Sequence, residues 1–153
     1  MRSQLKQENN MEYVSPFMSK VIPAAQPTSL GSEKTNEVGT FFSNLFMCRD
    51  YAHLYHLKQP DRKLSTHLVM GSLYEGILGI ADSLVEEYQG IYGIVDINVG
   101  KVDLSITPEA YLLEVYKNIE STRYMFKESF LQNTIDNICS LIASSLYKIK
   151  YVQ

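Results

Sequence analysis

Apolar residues recur every three or four positions along most of this chain. Phe41, Leu45, Cys48, Ala52 and Tyr55 form one such series, with Phe42, Phe46 and Arg49 one step round. That spacing predicts an amphipathic helix. Ser32 is placed to cap it, and Glu33 suits its first turn. It should end near Leu57, because Pro60 restricts Gln59. The pattern predicts a second helix from about Asp61 to Tyr88, with Leu64, Leu68, Leu78, Ala81 and Val85 as its buried stripe. Gly71, Gly76 and Gly79 fall inside it, each costing about 1 kcal/mol against Ala. Such glycines call for the close approach of another helix, or for a kink. Thr107-Pro108-Glu109 is a helix start, with Thr as N-cap and Pro at the first helical position. Tyr111, Leu112, Val115, Ile119 and Tyr124/Met125 mark a third stripe, which breaks near Phe126-Lys127. Phe130, Ile135, Ile138, Leu141, Ile142, Leu146 and Ile149 mark a fourth. Lys148 and Lys150 lie in its last turn, where cations suit the helix dipole.

Between the second and third helices, residues 91 to 108 are rich in glycine and β-branched residues. Alone they would read as a hairpin; between two pairs of helices they read as a long crossover. Residues 1 to 32 read as an extended tail, punctuated by Pro16, Pro23 and Pro27. Its apolar pairs, Tyr13-Val14, Phe17-Met18 and Val21-Ile22, suit packing on its own body, a neighbouring subunit or another protein. The expectation is one all-α domain over 33–153, a four-helix bundle with one long crossover between helices 2 and 3.

Composition narrows the partners. The 153 residues carry a net charge of −3 and a pI near 5.6, so nothing global draws the chain to nucleic acid or anionic lipid. The tail is only marginally basic, a weak case for a DNA-gripping arm. No signal peptide is evident, and no stretch is expected to reach the roughly 20 apolar residues of a membrane span. Cys48 and Cys139 show no metal-finger spacing and read as small buried hydrophobes. A cytoplasmic location follows as an expectation.

The chemistry-bearing residues gather between Tyr51 and Gly90. His53, His56 and His67 lie there, and His67, position 71, Glu75, Asp82 and Glu86 fall within an arc of about 100° on one helical face. Imidazoles and carboxylates grouped in this way suit a divalent metal. The bland alternatives are a solvated acidic face and histidines that end a helix. No nucleotide-binding glycine loop, GxSxG elbow or HEXXH motif occurs.

On these residues, positions 35 to 151 resemble the ferritin-like superfamily, and within it the mini-ferritins called Dps, the DNA-binding proteins from starved cells. In that family a Leu-His-Trp type signature ends the first helix. The second helix then carries His-x3-Asp and, eleven residues on, Asp-x3-Glu. Tyr55-His56-Leu57 stands at the first signature, His67 at the second histidine, and Asp82 and Glu86 at the last pair. Gly71 replaces the bridging aspartate and Leu57 the tryptophan. The resemblance implies a shell of identical subunits associating through the second helix, with a ferroxidase site between subunits. His56 and His67 would come from one copy and Asp82 and Glu86 from the other, with Glu75 in place of the lost bridge. The implied metal is iron, with zinc or manganese for a single-metal site. The alternative is a ferritin-like bundle without iron chemistry, a structural or interaction protein such as a virus particle component.

Overall fold

The computed structural model describes residues 29–152, with side chains from residue 36 onward. Residues 1–28 of the expected tail fall outside these residues, and residues 29–32, expected as tail, belong to the first helix. Four α-helices account for most of the described chain: α1 (Ser29–Lys58), α2 (Leu64–Tyr92), α3 (Pro108–Thr122) and α4 (Ser129–Tyr151). A single 3-10 turn, Arg123–Met125, lies between the last two. α1 begins before Ser32, so the expected cap lies inside the helix; after Pro27 no residue interrupts it until Pro60.

α1 and α2 join through a tight corner. Gln59 and Arg62 both take positive φ, 43° and 54°, and the Lys63 amide donates to the Asp61 carboxylate at 3.2 Å. That corner delays α2 by three residues, and the helix then runs on to Gly93, whose φ of 88° ends it. α3 starts as its sequence requires: the Ala110 amide donates to the Thr107 hydroxyl at 3.4 Å, with Pro108 next to the cap.

Ring and side-chain contacts set the helix directions. His56 meets His67 and Phe42 meets Tyr88, so α1 and α2 are antiparallel. Thr134 donates to Glu87, and a Cβ at Gly76 would touch Leu141, so α4 runs against α2. Lys150 pairs with Glu109 while Cys139 meets Glu120, so α3 runs against α4. Tyr51 stacks on Tyr111 at 3.8 Å, and Asn44 reaches Asn118. α2 and α3 are therefore parallel, and the 93–107 segment between them has to travel the length of the bundle. It does so along α1. The Asp96 carbonyl lies over Gly39, the Asn98 amide donates to the Ser43 hydroxyl at 2.9 Å, Gly100 faces Met47, and Tyr51 donates to the Ile106 carbonyl at 2.6 Å. The segment carries no regular helix or strand.

The core follows the predicted stripe in α1, where Phe41, Leu45, Cys48, Ala52 and Tyr55 are all buried. In α2 the stripe is met in part. Ala81 and Val85 are buried as expected, but Leu64, Leu68 and Leu78 are 71%, 59% and 44% exposed. Val69, Met70, Leu73, Ile77, Leu84 and Tyr88 complete the inner face. The helix is apolar on more than one side, so periodicity alone did not single out the inner face. α2 is also long and apolar enough to cross a membrane by length and composition, with a mean hydropathy of 1.4 over 18 residues. The sequence expectation missed this, because glycines and separated carboxylates interrupt the run. In α3 and α4, Leu112, Ile119, Leu131, Ile135, Ile138 and Ile142 are core, while Tyr124 and Phe130 are exposed. Cys48 and Cys139 are free and buried.

Candidate functional site: a histidine pair across the first helix corner

His56 sits in the last turn of α1 and His67 in the first turn of α2, on either side of the Lys58–Lys63 corner. Their rings stack at 3.9 Å, with planes 13° apart. His56 donates from Nδ1 to the His67 carbonyl at 2.8 Å. His67 Nδ1 has the His56 carbonyl at 3.0 Å and the Gln59 side-chain nitrogen at 2.9 Å. A carbonyl only accepts and an amide nitrogen only donates, so His67 serves one of these neighbours at a time. The pair thus closes the corner from both sides.

Gly71 makes the arrangement possible. A Cβ there would lie 3.0 Å from both Cε1 and Nδ1 of His56. The His56 ring therefore occupies the ground over position 71 where the resemblance places a bridging carboxylate. Tyr74 borders the same space, 4.4 Å from His53 and 5.6 Å from His56 between ring centres. It also donates to Glu75 at 3.3 Å. Burial, and then the neighbouring Glu75 carboxylate, push the Tyr74 hydroxyl above its ordinary pKa.

Of the expected metal residues, the structure brings together His56 and His67. Glu75, Asp82 and Glu86 are exposed on α2. At 1.5 Å per residue, Asp82 and Glu86 lie about 22 and 28 Å along the helix from His67. They share its face but not its neighbourhood, and would reach it only from another copy. Among the described residues, no group of three or more His, Cys, Asp or Glu is placed to hold a metal ion. The stacking adds a constraint. A metal lies in the plane of the imidazole that binds it, about 2.0–2.1 Å from nitrogen. Two nearly parallel rings 3.9 Å apart do not converge on one ion, so in this arrangement a given ion takes one ring of the pair. Gln59 and Tyr74 were not anticipated from sequence. Tyr74 falls one helical turn beyond Gly71, a spacing that would have placed it beside the site.

The molecule is thus a four-helix bundle with an imidazole pair clasped across its first corner. The chain belongs to a family of unknown function, DUF5856, whose model matches residues 56–149. That span opens on His56 and takes in His67, Gly71, Glu75, Asp82 and Glu86. No curated protein and no solved structure matches the chain.

Proposed function

We propose that the protein is a bundle of ferritin-like topology that works as an assembly and interaction protein, without ferroxidase chemistry. The helix order supports the topology: α1 packs beside α2 and α3, α4 beside the same two, and a long crossover joins the parallel α2 and α3. A fold of this kind does not carry its function with it. The observation that carries the reading is Gly71, whose open side receives the His56 ring where an iron site would need a carboxylate. His56 then holds the helices together through the His67 carbonyl, and His67 through either the His56 carbonyl or the Gln59 amide. The outer face of α2, with three exposed leucines, is the surface offered for association.

A second reading keeps the iron. Metal-binding histidines commonly donate their other ring nitrogen to a backbone carbonyl, which fixes the tautomer. His56 does this, which leaves its Nε2 lone pair for a ligand. In that reading Asp82 and Glu86 arrive from a second copy, Glu75 replaces the missing bridge, and Fe(II) is the substrate. An anaerobic Fe(II) titration followed by oxygen, run on protein of known oligomeric state, separates the two. Self-association without saturable Fe(II) binding is the expected result. Saturable binding near two irons per site with rapid oxidation, lost in His67→Ala, would replace the first reading with the second.

A further inference from the structure

We infer that the outer face of α2 receives the α2 of a second copy of this chain, packed antiparallel, with closest approach at Gly79. This rests on the assembly reading above and gives it a partner and a register.

The four glycines of α2 have different surroundings. A Cβ at Gly71 would meet His56, and one at Gly76 would meet Leu141 at 3.0 Å. Among the described residues, a Cβ at Gly79, or at Gly90 near the end of the helix, would meet nothing within 4 Å. A glycine inside a helix is unfavourable relative to alanine, and no contact among the described residues accounts for Gly79, in the middle of α2. Close approach of a helix from outside does. Gly79 is exposed between Leu78 and Asp82 on the face that also carries Leu64, Leu68, Ser72 and Glu75. Only 39% of the most apolar window of α2 is buried, so α1 and α4 leave much of its apolar surface uncovered.

Charge selects a second copy, and its direction. Cations outnumber the single carboxylate, Asp61, at the start of α2: Lys58, Arg62 and Lys63 lie in the corner, and Lys148 lies beside Leu64 and Leu68 in a groove of about 360 Å³. Exposed carboxylates, Asp82 and Glu86, occupy the far half. An antiparallel copy sets the acidic half of each α2 over the basic end of the other and opposes the helix dipoles. A parallel copy would stack acid on acid. A two-fold axis near Ile77 places Gly79 opposite Glu75, Ser72 opposite Asp82 and Leu68 opposite Glu86, each contact made twice. The assembly closes as a dimer.

The test joins Ser72→Cys with Asp82→Cys in the full chain under mild oxidation, since both native cysteines are buried. A disulfide forms only if the two positions approach within bonding geometry. The expected result is a covalent dimer, with the unoxidised protein dimeric by light scattering. Gly79→Leu should weaken dimerisation by about tenfold or more while leaving the circular dichroism spectrum unchanged, because the added side chain enters space that the described residues leave open. A dimer that forms no cross-link would overturn the antiparallel register and leave the assembly reading standing. A monomer at all concentrations, with or without iron uptake, would overturn both. Partition of a monomer onto phosphatidylcholine vesicles would assign the α2 face to a membrane and overturn the proposal.

Discussion

At the scale of single residues, Gly71 and His56 act as one unit. The ring fills the place of a side chain that position 71 does not have. Gly71→Asp adds a Cβ at 3.0 Å from His56 and a carboxylate beyond it. The ring has to leave its place over His67, and the loss should resemble an overpacked contact, about 1–3 kcal/mol by urea denaturation. The same variant should not gain Fe(II) oxidation. A faster ferroxidase with unchanged stability would show that the clasp is dispensable and the missing bridge decisive. The spacing of His56 and His67 was legible in the sequence because both stand on helices that meet at a short corner. That the rings stack, and that Asp82 and Glu86 lie beyond their reach in one chain, depends on distances that a shared helical face conceals.

Elements are defined here by their ends. α3 begins at a Thr-Pro-Glu signal whose hydroxyl accepts from the Ala110 amide. Thr107→Ala should lower stability by about 0.5–1 kcal/mol, the lower part of the usual capping range because the bond is long. Chemical denaturation measures this, and no change would mean that Pro108 alone starts the helix. The crossover has no internal ladder and depends on α1 for anchorage. Tyr51→Phe removes the hydrogen bond to the Ile106 carbonyl, with an expected loss of about 0.5–1.5 kcal/mol. Hydrogen exchange should rise first around residues 104–107. Uniform exchange across 93–107 would show that Ser43 and Gly39 hold the segment unaided. Leu64, Leu68 and Leu78 were misassigned to the α2 core because apolar residues occur round most of its circumference. Which of them are buried depends on where α1 and α4 lie.

For the whole molecule, buried ionisable groups set a limit at high pH. Burial pushes the Cys48 thiol up to about 12, from 9.0. Burial first, and then neighbouring charged groups, raise the hydroxyls of Tyr51 and Tyr111 above 10.0. Each group is raised in the folded state, so its contribution is complete below the unfolded pKa and lost as pH climbs toward the folded value. The unfolded chain binds fewer protons across that window. Stability should therefore fall from about pH 9 upward, by about 1.4 kcal/mol per pH unit for each group fully engaged. Urea midpoints at pH 7, 9 and 10.5 test the sign, and Cys48→Ser should flatten the first part of the decline. A midpoint constant to pH 10.5 would show that the thiol ionises freely in the folded protein.

Taken alone, the sequence determined the number of helices, the corner at Gln59-Pro60, the start of α3 and the length of the connection before it. These rest on local physics: backbone restriction at proline, capping by a hydroxyl, and a period of 3.6 residues. It also determined that α1 has a single buried stripe, because polar residues bound that stripe closely. Only the tertiary structure decided which side of α2 is core, why Gly71 and Gly76 are glycine, and that Gly79 has no neighbour among the described residues. It likewise decided that the two histidines close on each other's backbone. Those outcomes depend on the distance between helices remote in sequence, and a linear pattern carries direction around a helix but no distance across to the next.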